Sequence, residues 1–484
     1  MQQLLNSELI KKIKRSDFFE TLRHSKNYFF ADAATRALSV LSIPVFTRLL
    51  TEADYGIVAV FNAYVGIFLI ILSLNAHTAI SRYYYEETDD FDEFVGTTLV
   101  LLGLIFGVTV LLFTASYRHI ADLLELPGLL PLYMVIICLL EVLRSVYIQI
   151  LIPRKKSGEV ALIRVVNGFA LIIVAVALVY TLEENRYLGR IWARLLISFI
   201  FSFYFMVKMR DYFKFSLRYD HLKYIAYFSL PLVPTALSSV VLAQFDRIMI
   251  SNTLDAASAG LYSLGYSIGM LLLMVIGATQ TAIVPDFYKF LDKREYGRLD
   301  VLVRRVFSVV TVAALGLVFF AREMGMILAD EKFYPGLSVV PIVTIGYIFY
   351  AMFLVYGRYI SYKKKTYYTL VVVFTAGILN IALNALFIPR YGYVAAAYTT
   401  LVSYFVLFLN AWVAARMVFR ERITPLWMIW ESTAAMFLFI ALGYVVSGLD
   451  LSLVVFWIIK IAILIVFGIA VFWREIRFLY QKLV

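Results

Sequence analysis

Cysteine occurs once in the 484 residues, at Cys138, so neither an intramolecular disulfide nor a cysteine-based zinc site can form. Charge is also scarce. Charged residues make up 16% of the chain, against about 25% in an ordinary soluble domain. The four histidines, His24, His77, His119 and His221, are scattered and have no metal-ligand spacing. No P-loop appears, so the chain alone is not expected to hydrolyse ATP. No charged n-region with a short apolar run and a small-residue cleavage site stands at the start, and a removable signal peptide is not expected.

Apolar residues are plentiful, at 62% of the chain with a mean hydropathy of +0.84. That excess is too great for a soluble core and points to an all-α polytopic membrane protein. Runs of membrane length recur at 28–50, 56–80, 94–116, 129–152, 159–181, 188–207, 224–250, 258–284, 303–321, 337–361, 367–388, 391–415, 425–447 and 451–473, giving about fourteen spans. The loops between them leave no room for a soluble domain. Pro44, Pro231 and Pro234 fall inside spans, where a missing amide donor predicts a kink or local unwinding. The net charge of +11 calls for no nucleic acid, because excess Lys and Arg in a membrane protein gathers in cytoplasmic loops. With the N-terminus inside, the opposite side has only Arg48, Arg118, Arg186, Arg322, Lys332 and Arg390. Both termini are therefore expected to be cytoplasmic. The acidic stretch SRYYYEETDDFDE (81–93) is the exception among the inner loops. Residues 1–27 read equally well as a basic amphipathic helix on the inner leaflet or as a cytosolic tail.

The sequence repeats itself. TEADYG (51–56) is matched by LDAASAG (254–260), Thr78-Ala79-Ile80 by Thr281-Ala282-Ile283, and NRYLGRIWA (185–193) by PRYGYVAAA (389–397), all at an offset near 204. Each pair falls at the same place in the topology. Two six-span lobes of equal orientation follow, 28–215 and 216–420, with the last two spans and the C-terminus in 421–484. Parallel repeats of this kind are a transporter architecture, with the substrate held between the halves.

Some charges stay inside the spans. A charge at bilayer depth costs several kcal/mol unless it finds a partner or a cavity. Asp32 with Arg36 and Glu141 with Arg144 are spaced to share a helix face. Arg164, Arg194 and Arg358 have no acid nearby in sequence. Such arginines suit a cavity for an anionic ligand, since guanidinium takes phosphate in bidentate fashion. Arg36, Arg144, Arg164 and Arg358 lie in the inner halves of their spans, and Arg194 and Arg247 in the outer halves. Arg36, Arg164, Arg194 and Arg247 are explained as well by snorkelling or a helix–helix ion pair; that reading fits Arg190 and Lys460 better still, and Glu431 needs only an interfacial position. His77, beside Asn75, is a candidate proton site, although a plain interhelical hydrogen bond also accounts for it. Asp90-Phe91-Asp92 has the spacing of a D-x-D metal motif but lies in a short acidic loop, and reads as solvated.

FFADAATRALSVLSIPVFTRLLTEADYGIVAVFNAY (29–64), FDRIMISNTLDAASAGLYSLGYSIG (245–269) and RYGYVAAAYTTLVSYFV (390–406) resemble Wzx-type polysaccharide flippases. These belong to the multidrug/oligosaccharidyl-lipid/polysaccharide exporter (MOP) superfamily, with MurJ and the MATE exporters. The resemblance covers nearly the whole chain. It implies a transporter rather than an enzyme, resident in the bacterial inner membrane. The cargo would be an undecaprenyl-diphosphate-linked repeat unit, carried to the outer leaflet for O-antigen or capsule assembly by alternating access. It implies that Arg36, Arg144, Arg164, Arg194, Arg247 and Arg358 line a cationic cavity, with Arg48 a partner of Arg247 on the exit side. Asp32 and Asp246 become candidates for coupling to H+ or Na+, and the membrane potential, about 2.3 kcal/mol per charge per 100 mV, is another energy source. A polysaccharide polymerase and a chain-length regulator are the implied partners. The rival readings are a MATE-like exporter, which needs an acidic or neutral cavity, and a membrane polymerase or ligase, which needs a large outer loop.

Overall fold

The computed structural model describes residue 27 and residues 30–86, 89–447 and 452–483, and among them there is no strand. The N-terminal amphipathic reading therefore lies outside the described residues, Asn27 apart. The helices are α1 (30–49), α2 (Glu52–Ser73), α3 (Ala76–Glu86), α4 (Phe91–Ala115), α5 (Tyr117–Leu124), α6 (Leu130–Leu151), α7 (Ser157–Thr181) and α8 (Tyr187–Met209). They continue with α9 (Tyr219–Ser229), α10 (Val233–Thr253), α11 (Ala256–Gly269), α12 (Leu272–Asp292), α13 (Tyr296–Phe319) and α14 (Ala321–Leu328). The last five are α15 (Val339–Tyr362), α16 (Thr366–Tyr391), α17 (Tyr393–Phe419), α18 (Leu426–Ser447) and α19 (Leu453–Leu483).

Thirteen of the described helical segments are long and apolar enough to cross a membrane. The first span, α1, is not among them, because Asp32, Arg36 and Pro44 dilute its apolar run. Every other expected span is matched by a helix or a helix pair. Pro231 sits in a 3-10 turn, Leu230–Leu232, that separates α9 from α10, as the missing amide donor predicts. The helix of α1 instead runs through Pro44 without a break. Two breaks have no proline. Leu74 and Asn75 part α2 from α3 with φ of 48° and 52°, and Ser73 Oγ accepts the Asn75 amide at 3.3 Å. Met270 and Leu271 part α11 from α12.

The repeat extends into the element order. The short helices α5 and α14, eight residues each, follow α4 and α13 respectively and start at Tyr117 and Ala321, again 204 apart. The repeated polar motifs are helix starts. Thr51 and Asp54 exchange bonds in a capping box (Thr51 N to Asp54 Oδ2 3.2 Å, Asp54 N to Thr51 Oγ1 3.0 Å), and Asp255 accepts the Ser258 amide at 2.6 Å. Their glycines then meet. A Cβ on Gly56 would lie 1.7 Å from the Ala256 carbonyl oxygen, and one on Gly260 would lie 2.0 Å from that of Glu52. Only glycine allows backbones this close.

The chain forms two compact units: residues up to Leu50 with Phe61–Leu237, and Thr51–Val60 with the chain from Ser238 onward. In the first, α8 packs on α6 and α7, and α6 also meets α3 and α4. In the second, α17 packs on α15 and α16, and α15 also meets α11 and α13. The final helices α18 and α19 pack on α13 and on each other. Two ion pairs hold them: Arg422 Nη2 to Asp300 Oδ2 at 2.7 Å, and Lys460 Nζ to Glu323 Oε1 at 2.6 Å. Lys460 is thus held in a helix–helix ion pair, one of the readings its sequence context allowed. It is 13% exposed, lies over the Phe456 ring at 4.4 Å, and is neutralised by an acid 137 residues away.

Candidate functional site

In the second unit, Asp246 on α10 is fully buried. Its Oδ1 accepts Asn384 Nδ2 at 2.6 Å, and its Oδ2 accepts the Tyr262 hydroxyl at 2.6 Å and Thr400 Oγ1 at 2.8 Å. The ring closes through Asn380, whose Oδ1 accepts Asn384 Nδ2 at 3.2 Å and whose Nδ2 donates to Thr400 Oγ1 at 3.3 Å. Thr399 Oγ1 donates to Asn384 Oδ1. Helices α10, α11, α16 and α17 each supply a member, and all of these residues are buried. A lone carboxylate cannot stay in such a place without this many donors. Among the described residues no group of three or more His, Cys, Asp or Glu side chains forms a metal cluster. One carboxylate with amide and hydroxyl oxygens is instead a donor set for a proton or a small hard monovalent cation.

Arg247 makes no salt bridge with its neighbour Asp246 among the described residues, and its guanidinium lies 5.8 Å from the ring of Tyr262, a partner of Asp246. That guanidinium stacks 4.4 Å from the Tyr266 ring centroid, and Nη1 donates to the Ala243 carbonyl at 2.8 Å. Tyr266 leads into an aromatic network: the Tyr347 hydroxyl donates to Tyr266 Oη at 3.0 Å, and the Tyr266 and Tyr404 hydroxyls lie 3.2 Å apart. Cation–π contact and a carbonyl acceptor together let an arginine sit in an apolar setting. Arg358 on α15 is less satisfied. Nη2 donates to the Gln280 carbonyl at 2.9 Å and the guanidinium lies 5.3 Å from the Phe287 ring, while Nη1 is buried with no partner.

The first unit pairs its charges across helices as well as along them. Arg194 on α8 grips Glu141 on α6 in bidentate fashion, Nε to Oε1 at 2.8 Å and Nη2 to Oε2 at 3.0 Å, and Nη1 donates to Asn62 Oδ1 on α2 at 2.5 Å. Arg144, the expected partner of Glu141, stands 3.8 Å away. Asp32 pairs with Arg164 on α7 at 2.7 Å, and not with Arg36 one turn along. Arg164 and Arg194 therefore do have acids, contrary to their sequence neighbourhood, because facing helices bring partners 132 and 53 residues away within reach. Arg36 is exposed with no ion pair among the described residues. Arg48 is exposed too, and its Nη1 donates to the Pro44 carbonyl at 2.8 Å. His77 follows the α2–α3 break, and its Nδ1 is buried without a partner. Arg190 lies over the Phe46 ring at 4.3 Å.

Some polar partners carried no sequence signal as a group. Asn380 and Asn384 stand one turn apart inside a span, which marks a polar stripe, but their meeting with Thr400 and Asp246 is tertiary. His221 was among the scattered histidines. It is buried, its Nε2 2.9 Å from Asp90 Oδ2 and its Nδ1 3.1 Å from Thr97 Oγ1. Arg218 to Asp90 (2.9 Å) and Lys214 to Glu93 (2.5 Å) offset part of the charge of the acidic loop that stood out against the inner-side charge pattern.

A model of the family described as polysaccharide biosynthesis protein matches residues 26–291, more than half of the chain. Lsg locus putative protein 1 of Haemophilus influenzae is 25% identical over 283 residues, 57% of this chain and 68% of that protein. The probable low-salt glycan biosynthesis flippase Agl15 of Haloferax volcanii is 20% identical over 396 residues, 79% of this chain and 80% of that one. Among solved structures, the lipid II flippase MurJ in an inward closed conformation superposes with a TM-score of 0.72 at 16% identity, covering 94% of this chain and 100% of MurJ. An inward-facing MATE multidrug transporter of the MOP superfamily gives 0.66 at 14% identity, covering 80% of this chain and 94% of that one. With the fold of those transporters and a family match across its first unit and into its second, the chain belongs to the polysaccharide biosynthesis protein family.

Proposed function

We propose that this protein is a flippase for lipid-linked glycans. The observation that carries the reading is the family match over residues 26–291, on a chain with the fold of a lipid II flippase. The cargo is an undecaprenyl-diphosphate-linked oligosaccharide repeat unit, taken from the cytoplasmic to the outer leaflet of a bacterial inner membrane by alternating access, with both termini cytoplasmic. A polysaccharide polymerase and a chain-length regulator receive the product.

The charge arrangement supports an anionic cargo over the cationic drug of a MATE-like exporter. Asp32, Glu141 and Glu323 are engaged by Arg164, Arg194 and Lys460, and Asp246 by its cage. Arg36, Arg48, Arg144 and Arg358 have donors left over, and guanidinium donors match a diphosphate. A polymerase or ligase needs a large outer loop. The segments between α4 and α6 and between α13 and α15 hold only the short helices α5 and α14 with a few residues beside them. We place ion coupling at Asp246, where uptake of H+ or Na+ would replace the donors that now hold its carboxylate.

Complementation of a flippase-deficient strain tests the reading, scored by surface polysaccharide and by accumulation of the lipid-linked intermediate. The unaltered chain should restore the polysaccharide. Arg358→Glu should lower it by roughly tenfold or more, as for loss of a charge-assisted contact, at unchanged membrane levels. Failure to rescue with any lipid-linked donor would overturn the proposal.

A further inference from the structure

A cavity of about 430 Å³ opens on the second unit, between the end of α13, the start of α14 and the 3-10 segment Glu331–Ser338. Its wall includes Phe319, Arg322, Tyr334, Leu337, Ser338 and Pro341, and no carboxylate lines it. The floor is firm. A Cβ on Gly336 would lie 2.3 Å from the Leu261 carbonyl oxygen, and the Tyr393 hydroxyl donates to the Pro335 carbonyl at 3.1 Å. Ser338 Oγ already donates to that same carbonyl at 2.9 Å, which leaves the Arg322 guanidinium and the Tyr334 phenol as the free donors. Arg322 makes no ion pair among the described residues. The adjacent acid, Glu323, is taken by Lys460. The volume lies within the range of small-molecule sites, where an apolar wall with a few placed polar groups is the usual pattern.

Two features select the ligand. One cation with no opposing acid selects an anion, and a guanidinium beside a phenol fits phosphate oxygens. Beside the cavity, α14 exposes the apolar side chains of Met326 and Ile327, at 42% and 72%. We propose that this cavity binds the phosphate of an anionic lipid, with Arg322 and Tyr334 on the phosphate and Phe319, Leu337 and Pro341 against the first carbons of the chain. On the proposed topology the cavity faces the outer leaflet. The proposal goes beyond the flippase reading and does not depend on it.

The test is lipid retention by the purified full-length protein in detergent, read by native mass spectrometry. The probes are phosphatidylglycerol, phosphatidylcholine, undecaprenyl diphosphate and inorganic pyrophosphate, each with the unaltered chain, Arg322→Gln and Tyr334→Phe. Phosphatidylglycerol or undecaprenyl diphosphate should be retained over phosphatidylcholine, and Arg322→Gln should weaken that retention by roughly tenfold. Tyr334→Phe should weaken it less. Whichever anionic lipid is held more tightly identifies the source of the phosphate. Equal retention by the unaltered chain and Arg322→Gln, equal retention of phosphatidylcholine, or competition by pyrophosphate as strong as by either lipid would each overturn the site. Complementation is scored separately, so loss of this site and loss of the flippase reading are distinguishable.

Discussion

Glu141 is 8% exposed and Arg194 22% exposed at the side chain, and the two share both guanidinium–carboxylate bonds. Removing one member of such a pair leaves an uncompensated charge at bilayer depth, whereas removing both leaves only Arg144, 3.8 Å from Glu141, without its acid. Glu141→Ala should therefore cost about 3 kcal/mol, and the double variant Glu141→Ala/Arg194→Ala clearly less than the two single losses added. Unfolding of the four chains in detergent measures the coupling. Simple additivity would show that the bridge contributes nothing. The same residue-scale logic separates Asp246 from Arg247. The pair is adjacent in sequence and shares Tyr262, whose hydroxyl donates to the acid and whose ring lies 5.8 Å from the base; their other partners differ, hydroxyl and amide donors for the acid, the Tyr266 face and a carbonyl for the base.

At the scale of elements, the loop between α3 and α4 is tied to the start of α9. Partial burial pushes the Asp90 carboxyl upward, but the Tyr83 hydroxyl, His221 and Arg218 outweigh this and hold it below the ordinary 3.8. A depressed carboxyl stabilises the fold fully above 3.8 and loses that contribution as the pH falls through its lower folded value. Exposed Glu86 is held low in the same direction by the Tyr224 hydroxyl and Arg82. Asp90→Asn should thus melt below the unaltered chain at pH 7, with the gap closing as the pH falls below about 4. Thermal unfolding across that range checks the sign, and a gap that ignores pH would mean the carboxylate charge is not what binds loop to helix. The broken helices obey a related rule. Proline explains the α9–α10 break, whereas α2–α3 breaks at Leu74–Asn75, where no residue type forces it.

At the scale of the whole molecule, the distribution of lysine and arginine sets the expected orientation. A fluorescent protein fused after Val484 should fold and fluoresce on the cytoplasmic side, and alkaline phosphatase inserted after Ala329, beyond α14, should be active outside. The reverse pattern would invert the topology and, with it, the leaflet assigned to the Arg322 cavity. The last two helices belong to the second unit. They pack on α13 and are tied to it and to α14 by Arg422–Asp300 and Lys460–Glu323.

Composition and periodicity alone determined the helical membrane class, the approximate positions of the spans and the repeat at an offset near 204. These depend on local physics: apolar length and the spacing of like segments. Tertiary structure decided which charges meet. Asp32 had Arg36 one turn away and takes Arg164, and Glu141 keeps Arg144 at 3.8 Å but gives Arg194 the shorter, bidentate pair. Spacing along one helix says which residues share a face, but not which helix that face meets. The Asp246 cage is the clearest case. Asn380, Asn384, Thr399, Thr400 and Tyr262 look like isolated polar residues in apolar spans until four helices converge, and only then does a buried carboxylate have the donors that allow it to exist there.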